Sequence, residues 1–131
     1  MEPIVAQKAV IKVGEKYLLL HRSESEKAFP GLWDFPGGKV EKDEELLASL
    51  IREVREETSL AINSTGVVYE YEASLQDRPV RFVLHEVVVI AGDPTHVVIG
   101  AEHSEFRLAT KEEIMQLSTM PYMKSYLESL S

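Results

Sequence analysis

The stretch from Leu32 to Leu60 constrains the fold more than any other part of this chain. Leu32-Trp33-Asp34-Phe35 reads as extended backbone and runs into Pro36-Gly37-Gly38, where a helix cannot continue. Shortly afterwards Leu46, Leu47, Leu50, Ile51 and Val54 recur at helical spacing. That periodicity predicts an amphipathic helix from about Glu44 to Thr58, with Asp43 as its N-cap. An extended segment, a glycine turn and one strong helix thus stand in fixed order, and the other elements must pack around them.

The flanking sequence reads mainly as strands. Residues 4–13, with Ile4, Val10, Ile11 and Val13, form a hairpin with Tyr17–Arg22 across Gly14-Glu15-Lys16. Ser23–Lys27 reads as a polar loop, and Phe29-Pro30-Gly31 as the start of a turn. Strands are expected near 66–75 and 80–90, joined at Asp77-Arg78-Pro79. Gly92-Asp93-Pro94 opens a loop to about Gly100, and Glu105–Ala109 is a short strand. Thr110-Lys111-Glu112-Glu113 is a capping box that opens a helix through Leu117. Pro121 starts a last helix to Leu130. Strands and helices mix without strict alternation, which predicts an α/β (α+β) sandwich rather than a doubly wound sheet. A length of 131 residues fits one domain, taken as 1–131.

Composition removes several function classes. There are no cysteines, so disulfides, thiolate metal sites and cysteine nucleophiles are excluded. Fourteen Lys and Arg stand against 22 Asp and Glu, a net charge of -8, and duplex nucleic acid is not an expected partner. Val87–Ala91 is the longest apolar run and is too short to span a bilayer. The first residues lack a basic segment followed by an apolar one, so a cytoplasmic, membrane-free protein is expected. Nothing in the sequence specifies an oligomeric state.

The predicted helix carries an odd charge pattern. Glu53, Glu56 and Glu57 lie at i, i+3 and i+4 on one narrow stripe beside the apolar face, and Arg52 is four residues before Glu56. On an exposed helix, like charges at this spacing cost about 0.2–0.5 kcal/mol. Anions in the last turns also oppose the helix dipole by roughly 0.3–1 kcal/mol each. A divalent cation removes both penalties, and carboxylate oxygens suit Mg2+ or Mn2+. A solvated glutamate face is the alternative on helix geometry alone.

The wider spacing decides between them. Gly38 is followed after five residues by Glu44, then after seven by Arg52-Glu53, and then by Val54-Arg55-Glu56-Glu57-Thr58-Ser59-Leu60. Residues 38–60 resemble the Nudix box of the Nudix hydrolases, G-x5-E-x7-R-E-U-x-E-E-x-G-U with U apolar, departing only where Ser59 replaces the last glycine. The Phe35-Pro36-Gly37-Gly38 lead-in is similar to the family's as well. The resemblance implies an αβα sandwich with a mixed sheet between helices, and hydrolysis of a nucleoside diphosphate linked to another moiety. It implies that Glu53, Glu56 and Glu57, with the Gly37 carbonyl, hold Mg2+ or Mn2+. Arg52 orients the carboxylates and Glu44 buttresses loop and helix. Catalysis would be attack by water on phosphorus, with Arg52, Glu53 and Glu56 in the machinery.

Other residues are candidates at that site. Glu102 in Gly100–Glu105 lies where some family members place a further metal-binding or basic glutamate; a solvated loop acid is the alternative, and Glu105 stands behind it. His103 reads as a surface loop residue. Trp33, Phe35 and Lys39 flank the glycines near the family's nucleoside pocket and are candidates for substrate contact, with core packing the alternative for the aromatics and the favoured one for Phe35. Arg22, Arg78 and Arg81 could meet phosphates or stay solvated. Ser74-Leu75-Gln76-Asp77 lacks the proline and tyrosine that mark ADP-ribose and dinucleoside-polyphosphate subgroups. By elimination, the resemblance favours a MutT-like enzyme acting on a nucleoside triphosphate. A nucleotide-sugar or dinucleotide pyrophosphatase, or a silent nucleotide-binding module, is the alternative.

Overall fold

The computed structural model describes residues 3–130. The elements run β1 (Ile4–Val10), β2 (Lys12–Val13), β3 (Lys16–Arg22), β4 (Trp33–Asp34), β5 (Gly37–Lys39), α1 (Leu46–Thr58), β6 (Ala61–Leu75), β7 (Arg78–Ala91), β8 (His103–Thr110), α2 (Lys111–Ile114) and α3 (Pro121–Ser129). One sheet has the order β5-β1-β7-β6. Its β1–β7 pair is parallel and its other pairs are antiparallel, so the sheet is mixed. The second sheet is built around β3, which pairs with β2, β4 and β8.

Alternation along the same strands feeds two cores, because successive side chains point to opposite faces. Ala6, Val10 and Leu19 join Phe35, Phe82, Tyr122, Met123, Tyr126 and Leu127, so α3 closes one side. Ala9, Ile11 and Leu18 join Leu50, Val54, Leu60 and Ile62, so α1 closes the other. Strands buried on both faces must be apolar throughout unless a polar residue has a use. β1 breaks that rule twice, at Gln7 and Lys8, which are 2% and 4% exposed.

The structure differs from the sequence reading chiefly at element ends. α1 begins at Leu46 rather than near Glu44, and its N-cap is Glu45 without a side-chain cap bond. Asp43, expected as the cap, sits in a left-handed turn at φ 65°. The reason is Glu44, whose carboxylate is drawn onto Arg52 and the Glu41 amide instead of entering the helix. β6 starts at Ala61, directly after α1, and pairs with β7 through register shifts at Ala61/Ile62, Ser64/Gly66 and Val67/Tyr69. The hairpin turns at Gln76 and Asp77, both left-handed, a two-residue geometry that follows strand twist. The capping box at Thr110 and Glu113 forms in both directions, but α2 ends at Ile114. No helix among the described residues is long and apolar enough to cross a membrane.

Candidate active site

The glycine turn is fixed by crowding. Gly37 takes φ +141°, and a Cβ there would lie 2.0 Å from the Gln7 carbonyl oxygen. No residue with a side chain fits so close to β1. At Gly38 a Cβ would lie 2.9 Å from the Glu53 carboxylate. The two glycines therefore let the turn press against both β1 and α1. In return the Gly37 N–H donates to Glu57 Oε1 at 2.8 Å.

That turn, α1 and the sheet surround a cavity of about 740 Å³. Glu53, Glu57 and Glu102 line it on one side, beside Gly37, Gly38 and Lys39. Lys8, Ala6 and Ile4 from β1, and Val80 and Phe82 from β7, form its floor. Leu75, Met120, Phe29, Arg22 and Arg78 complete the wall.

The box glutamates do not share one environment. Glu57 is 7% exposed, and burial pushes its carboxyl up to about 8, partly opposed by nearby Lys8 and the Gly37 N–H. Burial also raises the Glu53 carboxyl, against the pull of Arg52. Glu56 instead points away from the cavity, its side chain 58% exposed and held by Arg52 Nη1 at 3.1 Å. The expected stripe of three is therefore split: two carboxylates enter the cavity and Glu56 reaches it through Arg52. Among the described residues, no three carboxylate or imidazole groups converge at metal-holding geometry. Arg52 takes the place of a central cation. Its Nε reaches Glu44 at 2.6 Å, and its Nη2 reaches Glu44 at 3.0 Å and Glu53 at 3.1 Å. The same guanidinium holds the Glu44 carboxyl down to about 2.

Several sequence expectations are corrected here. Phe35 is 1% exposed and packs between Tyr17, Tyr122 and Tyr126, so it is a core residue and not a cavity wall. Trp33 is also turned away from the cavity, its ring 4.7 Å from that of His21. Both aromatics belong to the core cluster that α3 closes. Lys39 does line the cavity. Of the two loop acids, Glu102 faces the cavity and Glu105 pairs with His21 along β8. His103 is no surface residue: it is 7% exposed, and burial pushes its ring down to about 4. Its Nδ1 has no hydrogen-bond partner among the described residues. Arg81 lies elsewhere, paired with Glu70.

Sequence reasoning missed Lys8, Asp34 and Tyr122. Lys8 Nζ donates to Asp34 Oδ2 at 2.8 Å beneath the cavity. The Tyr122 hydroxyl donates to Asp34 Oδ1 and accepts the Phe35 N–H. A lysine beside Gln7 in a strand whose other residues are apolar, and an acid between Trp33 and Phe35, were the available signals. Neither shows from spacing alone that its partner is near.

The comparisons with known proteins agree with this geometry. The model of the NUDIX domain matches residues 4–130. The CTP pyrophosphohydrolase of Escherichia coli (strain K12) is 36% identical over 122 residues, 92% of this chain and 86% of that protein. The ADP-ribose pyrophosphatase of Methanocaldococcus jannaschii is 31% identical over 121 residues, 92% of this chain and 66% of that one. The crystal structure of the MutT protein from Methanosarcina mazei Go1 superposes with a TM-score of 0.86 at 30% identity, covering 98% of this chain and 93% of that one. With almost its whole length matched, and with Gly38, Glu53 and Glu57 of the box at one cavity, the chain belongs to the NUDIX domain family and is a Nudix hydrolase.

Proposed function

We propose that this enzyme hydrolyses a nucleoside triphosphate to the monophosphate and pyrophosphate, with a divalent cation, Mg2+ or Mn2+, at the glutamates of α1. One observation carries the reading: buried carboxylates and an apolar floor share a single cavity of nucleotide size. Glu53, Glu57 and the Gly37 carbonyl are the oxygens that would hold the cation, with Glu56 and Glu102 at its margin. The fit rests on Glu57, a carboxylate with one hydrogen bond whose burial disfavours its charge, an environment a hard cation would relieve. Bound there, the cation would offset phosphate charge and acidify a water molecule.

The chain's own residues supply the rest. Lys39, Arg22 and Arg78 are the cations at the rim that would meet phosphate oxygens. Glu102 is the carboxylate free to take the proton of the attacking water as it adds to phosphorus. The P–O bond of the anhydride joining the α- and β-phosphorus atoms breaks in line with that attack, giving the monophosphate and pyrophosphate, and positioning with charge neutralisation supplies most of the rate. Arg52 keeps Glu53 and Glu44 in register through bidentate geometry that a lysine cannot copy. The substrate is a small molecule.

The similarity to the ADP-ribose pyrophosphatase of Methanocaldococcus jannaschii favours a second reading, in which the phosphoanhydride of a nucleotide sugar is cut. A panel of nucleoside triphosphates, ADP-ribose and a dinucleoside polyphosphate, assayed with Mg2+ and resolved by product, separates the readings. Monophosphate with pyrophosphate from a triphosphate is the expected result. Turnover of ADP-ribose alone would establish the second reading, and tight binding without turnover would identify a silent binding module.

A further inference from the structure

Lys8 is buried in mid-strand and carries more hydrogen-bonding capacity than the protein uses. Its ammonium has three donors. One reaches Asp34 Oδ2 at 2.8 Å, and no other acceptor among the described residues bonds Nζ. A side chain 4% exposed does not leave donors unmet without cost. They open onto the cavity that Lys8 lines.

The register fixes what stands beside it. Lys8 is the Cα partner of Gly37, next to the carboxylates. Along the same face of β1 the next side chains are Ala6 and Ile4, opposite Phe82 and Val80 of β7. Lys8 thus marks the seam between the acidic wall and the apolar floor. Its charge is balanced by Asp34, which is 1% exposed; Arg22 Nη1 also approaches that carboxylate at 3.6 Å while its Nη2 lies 3.5 Å from Glu26, and Glu57 lies within electrostatic reach. With its charge taken up by Asp34, Lys8 adds little for a phosphate to what Arg22, Lys39 and Arg78 already offer in the same cavity. A neutral acceptor lying on the apolar floor gains two strong donors.

Resting on the nucleotide reading given above, we propose that Lys8 is a specificity-determining residue that reads the nucleobase. Its free N–H groups donate to the edge of a base lying on the apolar floor. It selects bases that present a carbonyl oxygen beside a ring nitrogen acceptor, as cytosine and guanine do. Adenine places an amino donor where that carbonyl stands.

The test is kcat/KM for CTP, GTP, ATP and the baseless ribose 5′-triphosphate, for the wild type, Lys8→Gln and the double variant Lys8→Met/Asp34→Asn, which leaves no unpaired carboxylate. The wild type should prefer CTP or GTP over ATP by about 10-fold or more. The double variant should bring that ratio to within about twofold, mainly through KM, with ribose 5′-triphosphate hydrolysis nearly unchanged. Lys8→Gln, which keeps a donor, should retain part of the preference. An equal loss on the baseless substrate would overturn the proposal and make Lys8 a phosphate or packing residue. An unchanged base preference would also overturn it. Each ratio is internal to one preparation, so partial unfolding cancels. If the wild type turns over no triphosphate, the functional reading fails instead. The affinities of CMP, GMP and AMP for the wild type and Lys8→Gln then decide the role of Lys8 by the same ratios.

Discussion

Gln7 and Lys8 are adjacent, equally buried and opposite in fate. The Gln7 amide donates to the Leu46 carbonyl, and its oxygen accepts from His85 Nε2 at 2.8 Å. The other ring nitrogen of His85 accepts from the Ser64 hydroxyl at 2.9 Å. Burial lowers the His85 pKa, which suits a neutral ring with its proton on Nε2. Each group in the series Leu46, Gln7, His85 and Ser64 has a partner, so that face of β1 ties the start of α1 to the sheet and offers a ligand little. On the cavity side of the strand, Lys8 keeps free donors and Glu57 is held up at about 8. A satisfied network stabilises a fold, whereas unmet polar groups facing a cavity cost stability that only a ligand returns.

The largest effect is expected on the cavity face. Glu57→Gln should lower Mg2+-dependent hydrolysis by on the order of 10²–10³ while leaving the fold intact. It should also change the pH dependence of stability. Folding raises the Glu57 carboxyl from 4.5 to about 8, so across that interval the folded state holds a proton the unfolded chain has released. The metal-free wild type should therefore lose stability as pH rises from about 4.5 to about 8, and Glu57→Gln should flatten that slope. Thermal melts in chelator over this range read the difference, and parallel slopes would refute the buried carboxyl.

Next in size is Arg52→Lys, which keeps the charge and loses the fork that holds Glu44, Glu53 and Glu56. A loss of about 10-fold or more in kcat is expected, with little change in melting temperature. On the opposite face, Gln7→Leu should do the reverse. It strands the Leu46 carbonyl and the His85 N–H, and should cost about 1–3 kcal/mol by denaturant titration. The base preference attributed to Lys8 should survive. Selectivity lost in Gln7→Leu would erase the contrast between the two faces.

The smallest change concerns Ser59, the one departure from the box. It caps α1 in the left-handed region at φ 64°, ψ 14°, its N–H bonded to the Arg55 carbonyl. A non-glycine residue there costs roughly 1–2 kcal/mol, and glycine gives back about 0.4–1 through the unfolded chain. Ser59→Gly should raise stability by about 1 kcal/mol or less, with hydrolysis unchanged. Destabilisation in a chemical melt would contradict this account of the helix end.

These residues also mark what the sequence can disclose. The stop at Ser59 and the capping box at Thr110 depend on a few consecutive residues, and local spacing predicts both. So does the helix that carries Glu53 and Glu57, because periodicity is a property of one segment. The start of α1 was misread because the ordinary rule for Asp43 was overridden by Arg52, eight residues beyond Glu44. On the sequence alone Trp33 and Phe35 are candidates for substrate because the segment lies near the glycines, although core packing is the favoured reading of Phe35. That both enter one core depends on contacts with His21 and Tyr122 that the segment itself does not show. Lys8 and Asp34 are separated by 26 positions, and their pairing exists only once the fold brings β4 beside β1.

The most direct test of the whole account is the initial rate of pyrophosphate release from a nucleoside triphosphate, compared between the wild type and Glu57→Gln, in Mg2+ and in chelator. The account predicts turnover only for the wild type with Mg2+, with monophosphate as the second product. Equal rates for the two proteins in Mg2+, or undiminished wild-type turnover in chelator, would contradict it.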